Sequence, residues 1–275
     1  MTELKLIAFD LDGTVLMNDH IHPAPGILSA LDLAHREGIY TVPVTGRPWG
    51  LLPPFFQEKR SWFSLGIFCN GGELRNLKTG ETLFSLHLPK EALNMMISQS
   101  EAYGIPAEFC TDEEIYLTGK SWEQQKCNPE LSFHCNTILR NHGVLMENLR
   151  DLPEEKIQKG HLNGVSRDLQ PVFGKEYESL GLGCAWSEEG FGEITPSEAS
   201  KGQALRKLCG MLGISIENVL SLGDSDNDLS MLQAAGLGIA MGNAPKWIKR
   251  AADEVTDPNE QDGAAKAIIK YIKKK

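Results

Sequence analysis

Apolar and polar positions along this chain switch between two periods. Leu6 to Phe9 is an unbroken apolar run that ends in Asp10-Leu11-Asp12-Gly13, as expected of a strand buried on both faces and closed by a turn. Pro25 to Glu37 changes to the helical period: Ile27, Leu28, Leu31 and Ala34 form one stripe, and Gly38 stands where the helix should end. Ile39 to Val44 is a second apolar strand, so strand, helix and strand follow in the order of parallel pairing. The aromatic and proline-rich stretch Trp49 to Trp62 reads as a broken helix or a loop packed on the core. Leu65 to Cys69 is a third strand, and Glu73 to Leu77 with Thr82 to Leu88 reads as a hairpin about a Lys-Thr-Gly-Glu turn.

From about Leu88 to Glu189 the pattern changes. Helical stretches, Lys90 to Tyr103 and Pro153 to Lys159, alternate with short strands, Pro106 to Cys110 and Ile115 to Leu117. The first pattern then returns with the strand Phe191 to Thr195 and a helix capped by Ser200 that runs to Leu212. Strands Asn218 to Leu222 and Leu237 to Met241 and an amphipathic helix from Glu260 complete it. The predicted class is α/β: a doubly wound parallel-sheet core from residues 1–87 and 190–275, with a smaller α/β domain inserted at 88–189.

Several of the apolar strands end in chemistry. Side chains alternate along a strand, so Asp10 and Asp12 point to one side. Two carboxylates side by side repel, and burying them without a partner is costly. Either they are solvated or a cation resolves the conflict, and Mg²⁺ held by carboxylates and a phosphate fits. Gly223-Asp224-Ser225-Asp226-Asn227-Asp228 poses the same question with three acids in five residues. A calcium loop is the poorer alternative at the first stretch, where Thr14 and Val15 stand in place of Asp or Asn and Gly, and it fails at the second, where Leu229 and Ala235 stand in place of Gly and Glu. Thr45-Gly46-Arg47 follows the second strand, where a hydroxyl and a backbone N–H can donate to a phosphoryl oxygen or simply form a turn. Arg47 is either a phosphate clamp or a surface residue. Lys201 opens a helix, a place where a cation opposes the macrodipole unless it points at an anion. Asp10, Thr45 and Asp224 all lie just beyond the C-terminal ends of predicted parallel strands, the edge at which open α/β sheets bind ligands.

Composition narrows the partners. The 275 residues are 41% apolar and 23% charged, ordinary for a globular chain with ample core, and carry a formal net charge of −10. That charge argues against nonspecific nucleic-acid or anionic-membrane binding, and an anionic substrate would need a local cation. No stretch approaches the length of a membrane span and the N-terminus lacks a signal-peptide layout, so the cytoplasm is expected, with no membrane and no obligate protein partner. The six cysteines are then expected as thiols. Cys127, His134, Cys135 and His142 sit loosely together, with the cysteines too far apart for a zinc finger.

Phe9-Asp10-Leu11-Asp12-Gly13-Thr14 resembles the first motif of the haloacid dehalogenase superfamily of aspartate-nucleophile phosphotransferases. Thr45 with Gly46-Arg47 is similar to its second motif, Glu193 to Gly202 to its third, and Gly223 to Met231 (Gly-Asp-Ser-x-Asn-Asp-x-x-Met) to its fourth. The short loop after Asp12 leaves no room for a lid, and the long insert behind Asn70-Gly71 resembles the Cof-type branch with its C2-type α/β cap. The resemblance implies a Rossmann-like core and a Mg²⁺-dependent phosphatase of a small phosphorylated metabolite, with sugar phosphates the family's commonest class. It implies that Asp10 attacks phosphorus to give an aspartyl phosphate, and that Asp12 protonates the leaving oxygen and then deprotonates water. Asp10 and Asp224 would hold the metal by their side chains and Asp12 by its backbone carbonyl. Leu11, Thr45, Gly46, Arg47, Lys201 and Asn227 would hold phosphoryl oxygens, and Asp228 would orient Lys201 or a metal-bound water. A phosphomutase with the same nucleophile and a sugar-phosphate sensor without turnover are the alternatives. The insert, hinged near Asn70-Gly71 and Glu189-Gly190, is expected to choose the substrate, with Trp122, His134 and Arg167 as candidate contacts.

Overall fold

The computed structural model describes residues 3–58, 62–128, 131, 134–186 and 190–273. Residues 59–61 of the aromatic-rich stretch, and Glu189 of the expected second hinge, lie outside the described residues. The chain divides into two compact units. One comprises residues 1–47, 52–85 and 199–275, the other residues 48–51 and 86–198.

The first unit is built on a parallel sheet of five strands. In spatial order these are Glu254–Val255, Leu237–Ala240, Val219–Gly223, Leu6–Phe9 and Tyr40–Pro43. Phe9 stands level with Leu222 on one side and Pro43 on the other, and all four residues of the Leu6–Phe9 strand are buried. From this central strand the chain first moves one way and later the other. Order therefore reverses between Leu6–Phe9 and Val219–Gly223, the switch point at which such sheets open a crevice. A bridge from Val44 to Ile67 adds the antiparallel strands Leu65–Phe68, Glu73–Asn76 and Thr82–Ser85. The helix Ile27–Arg36 buries Ile27, Ala30, Leu31 and Ala34, close to the predicted stripe, and packs on the closing helix Gly263–Ile272.

The second unit carries a six-stranded mixed sheet in the order Leu182–Trp186, Gly192–Pro196, Lys159–Leu162, Ala107–Cys110, Ile115–Thr118, Gly143–Met146. Helices Lys90–Tyr103 and Gln170–Ser179 bring Ala92, Leu93, Met96, Ile97, Phe173 and Tyr177 into one apolar cluster with Ala107, Phe109, Leu162 and Ile194. Side chains alternate, so Glu108, Lys159, His161 and Glu193 belong to the opposite face.

Two expectations are corrected here. The strand at Phe191 to Thr195 does not reopen the core: it runs Gly192–Pro196 and pairs with Leu182–Trp186 and Lys159–Leu162 in the second unit, so the first unit resumes at Ala199. A strand's own sequence carries no label for the sheet it joins, and here the hairpin neighbour wins it. Pro153 to Lys159 is not a helix but a single turn, Glu154–Lys156, leading into the Lys159–Leu162 strand. That strand is fully buried without being apolar, which hid it from a periodicity reading.

Candidate active site

Residues that follow the parallel strands meet at the C-terminal edge of the first unit's sheet. Asp10 continues the central strand, its N–H donating to the Leu222 carbonyl at 3.0 Å. The chain then turns sharply through Gly13 at φ +74°. A Cβ there would stand 2.3 Å from Asp224 Oδ2, so glycine meets both the dihedral and the close approach of the fourth-motif loop. Asp224 receives the Thr14 hydroxyl at 3.4 Å and the Asn243 amide at 3.1 Å.

Lys201, in the first turn of the helix Lys201–Leu212, is wholly buried. Its Nζ donates to Asp10 Oδ1 and to Asp228 Oδ1, both at 2.6 Å. The cation so awkward for its helix is thus held by two carboxylates. Burial disfavours the ammonium, but Asp10 and Asp228 outweigh this and hold its pKa above the ordinary value. The other oxygen of Asp228 accepts the backbone N–H groups of Asp224 and Ser225 at 2.9 and 3.0 Å. Asp228 therefore fixes both the lysine and the loop that presents Asp224.

Oxygens of Asp10, Asp224 and Asp228 lie within 4.8 Å of one another. Three carboxylates against one ammonium leave two negative charges. Burial and the neighbouring Asp228 push the Asp10 carboxyl well up, and for the same reasons Asp224 is pushed up to about 7. Oxygen donors, two excess charges and raised carboxyl pKa values are the fit of a hard divalent cation. Since Asp228 is engaged by Lys201 and two N–H groups, the side chains suited to hold it are Asp10 and Asp224.

Asp12 leads elsewhere. Arg47 donates Nε to Asp12 Oδ2 at 2.8 Å and Nη2 to Oδ1 at 2.5 Å, and His20 Nδ1 lies 2.8 Å from Oδ1. Burial alone would raise the Asp12 carboxyl, but hydrogen bonds from His20 and Arg47 hold it well below the usual range. Asp12 is thus ionised at neutral pH. Arg47 is no surface residue, and in this arrangement its fork lies on a carboxylate, not on a phosphate position. His20 was invisible to motif reading because a polar loop residue eight places on has no spacing rule. Its φ of +61° was the signal available only in three dimensions.

The phosphate-side residues are brought together with one change of partner. Thr45 is buried; its N–H is spent on the Ile67 carbonyl at 2.9 Å, and its oxygen accepts the Arg47 N–H at 3.1 Å, leaving the hydroxyl proton to donate. Gly46 faces Asn70, whose Oδ1 would meet an added Cβ at 2.8 Å. Asn227 donates its amide to that same Asn70 Oδ1 at 2.9 Å. Asn70 thereby links second and fourth motifs, a role the sequence did not show. Leu11 is buried, and its carbonyl accepts the Leu16 N–H at 2.9 Å to close the turn. Gly71, at φ +99°, has no room for a Cβ, which would stand 2.3 Å from the Ser200 carbonyl. The Asn70-Gly71 corner is thus packed on the start of the lysine helix.

Of the candidates in the insert, Arg167 is exposed, Trp122 packs against the cluster containing Cys110 and Leu117, and His134 pairs with Glu108 at 2.9 Å. Cys135 belongs to that apolar cluster. Among the described residues no helix is long and apolar enough to cross a membrane.

Residues 7–268 match the family model of haloacid dehalogenase-like hydrolases. A pyridoxal phosphate phosphatase of Escherichia coli is 31% identical, with 98% of each chain covered. A haloacid dehalogenase-like hydrolase from Bacteroides thetaiotaomicron superposes with a TM-score of 0.83 at 27% identity, covering 98% of this chain and 100% of its own. A subclass IIB sugar phosphatase superposes with a TM-score of 0.79 at 25% identity, covering 97% and 98%.

Proposed function

The chain belongs to the haloacid dehalogenase-like hydrolases and is a phosphatase, and from that premise we propose that it hydrolyses a small sugar phosphate with Asp10 as nucleophile. The observation that carries this reading is the buried Asp10–Lys201–Asp228 arrangement at the sheet's switch point. Lys201 holds Asp10 in place and supplies positive charge beside it. An Asp10 oxygen forms a bond to phosphorus as the bond from phosphorus to the sugar oxygen breaks, giving an aspartyl phosphate. Water then attacks that phosphorus and frees Asp10 and inorganic phosphate. The Thr45 hydroxyl and the Gly46 N–H hold phosphoryl oxygens, and Asn227 joins them by exchanging its bond to Asn70.

Asp12 handles the protons. Ionised by Arg47 and His20, it is ready to take a proton from the attacking water. The proton for the sugar oxygen in the first step comes through the Asp12–His20 pair, whose hydrogen bond raises the His20 pKa. Asp10 and Asp224, with the Asp12 carbonyl, would hold a divalent cation such as Mg²⁺, which would supply positive charge for the approach of an anionic nucleophile to an anionic ester. The same nucleophile would serve a phosphomutase, and inorganic phosphate release without an added bisphosphate would favour the phosphatase. The choice among sugar phosphates is assigned to the second unit.

Asp10→Asn keeps the side-chain shape and removes the nucleophile. With p-nitrophenyl phosphate and Mg²⁺, turnover should fall by about 10³-fold or more with the circular-dichroism spectrum unchanged. Near wild-type turnover by the variant would falsify the mechanism.

A further inference from the structure

Two side-chain amides in series tie the loop after the Leu237–Ala240 strand to the turn that follows Asp10. Asn243 stands just beyond that strand, on the sheet edge where Asp10 and Asp224 also lie. Its Nδ2 donates to the Gly13 carbonyl at 2.9 Å and to Asp224 Oδ2 at 3.1 Å, and its Oδ1 accepts the Asn259 N–H at 3.1 Å. The Gly13 carbonyl can only accept and the Asn259 N–H can only donate, so these partners fix which end of the amide is which. Asn259 is buried, and it spends its own amide on the Leu16 carbonyl at 2.9 Å and on Asn18 Oδ1 at 3.1 Å. Gly242 lets the two loops lie this close, since a Cβ there would stand 2.5 Å from the Pro258 nitrogen. Both amide protons of Asn243 are thus committed.

A loop tie alone needs only the bond to Gly13. The second proton goes to a side chain suited to hold the cation, and that has a consequence for the carboxylate. Among the described residues Asp224 has one other side-chain donor, the Thr14 hydroxyl, which reaches Oδ1 at the longer distance of 3.4 Å. Oδ2 is the oxygen crowded by the turn, the one that a Cβ at Gly13 would meet at 2.3 Å. With Oδ2 held by Asn243, the loosely held Oδ1 keeps the greater capacity to bind. An amide also suits this place better than a charged donor. A lysine or arginine would orient the carboxylate too, but its charge would cancel part of the negative excess that attracts a cation. Asn243 orients Asp224 and leaves the charge of the cluster untouched.

We propose that Asn243 is a positioning residue that aims the Asp224 carboxylate at the divalent cation, with Asn259 as the support that holds the Asn243 amide in place. The proposal rests on the reading above in which Asp10 and Asp224 bind that cation. In this role Asn243 acts through Asp224 alone. Partners that hydrogen-bond a metal-binding group set its direction, and losing one costs about 10–100-fold in metal affinity.

The test is isothermal titration of the substrate-free protein with Mg²⁺, on the wild type, Asn243→Ala and Asp262→Gly. Asn243 is exposed, so its truncation removes no core packing. Asp262 Oδ1 accepts the Gly26 N–H at 2.7 Å, and so ties the Asn259 end of the same loop to the chain without touching Asp224. Its φ of +59° suits glycine, so that variant loses the tie without backbone strain. Asn243→Ala should weaken Mg²⁺ binding by about tenfold or more, and the Mg²⁺ concentration that half-saturates p-nitrophenyl phosphate turnover should rise by a similar factor. Its kcat at saturating Mg²⁺ should fall by a smaller factor, as expected of a residue that acts through the cation. Asp262→Gly should lower the metal-free Tm and keep the wild-type Mg²⁺ affinity. Equal affinity in Asn243→Ala and the wild type overturns the proposal. An equal loss of affinity in both variants overturns it too, since Asn243 is then only a loop tie. Absence of Mg²⁺ binding by the wild type would instead overturn the cation reading, and the proposal with it.

Discussion

Each of the two units buries a cluster of charges, and the clusters are balanced in opposite ways. In the first, Asp10, Asp224 and Asp228 face a single ammonium, and Asp10 and Asp224 are pushed up. In the second, Glu108 and Glu193 face Lys159, His161 and His134, and both carboxyls are held down. A balanced cluster has no demand for another ion and holds its side chains in one orientation. An over-negative one is a standing demand for a cation, and with a cation it can accept an anionic substrate. The difference separates a cluster suited to hold a cation from one that is already satisfied by its own side chains, although both are buried and charged.

The strongest way to break this contrast is Lys201→Met. It removes the cation that Asp10 and Asp228 share and leaves two buried carboxylates facing each other. Turnover of p-nitrophenyl phosphate should fall by about 10²–10³-fold, and stability should drop by about 3–5 kcal/mol as in other buried pairs stripped of one member. Stopped assays and urea denaturation check the two effects, and a variant with unaltered kcat would remove Lys201 from the mechanism.

A smaller change is expected from Glu108→Gln, which leaves His134 and His161 without their shared carboxylate. Stability at pH 6 should fall by about 3 kcal/mol. Glu108 has a folded pKa below its ordinary 4.5, so its contribution is present above that value and lost as the pH falls through the folded one. The difference between wild type and variant in denaturant unfolding should therefore narrow at pH 3.5. A gap that stays constant means that Glu108 is not the ionised partner described.

Asp224 gives the opposite slope and the smallest effect. Its pKa rises from 3.8 in the open chain to about 7 in the fold. Between those values the folded protein holds a proton that the unfolded chain has lost, so metal-free stability falls as the pH rises, and the penalty is complete above about 7. A divalent cation held at Asp224 would take the place of that proton. Saturating Mg²⁺ should therefore raise Tm by several degrees more at pH 8 than at pH 5, on the scale of about 2–4 °C per kcal/mol for a chain of this size. Calorimetry with Asp224→Asn as control tests it, since equal shifts at both pH values, or an undiminished shift in the variant, separate Asp224 from the metal.

Much of this was legible in the residues themselves, and the reason is local. A buried strand must be an apolar run, a turn at its end needs Gly13, and acids placed directly after such runs announce themselves against the pattern. The Asp10, Thr45, Lys201 and Asp224 positions, the parallel sheet and the odd placement of a lysine at a helix start all followed from neighbours in sequence. What only the tertiary structure decided depends on groups far apart in the chain. Arg47 and His20 meet on Asp12 because two loops close over it, and Asn70 reaches Asn227 across 157 positions. The Gly192–Pro196 strand joined the second unit's sheet because pairing is a choice between partners, on which the strand's own sequence is silent. The row Glu108–His161–Glu193 is a product of strand register, which aligned three residues from separate strands that have no shared motif. Charge balance is a sum over space, and it exists only once the chain has folded.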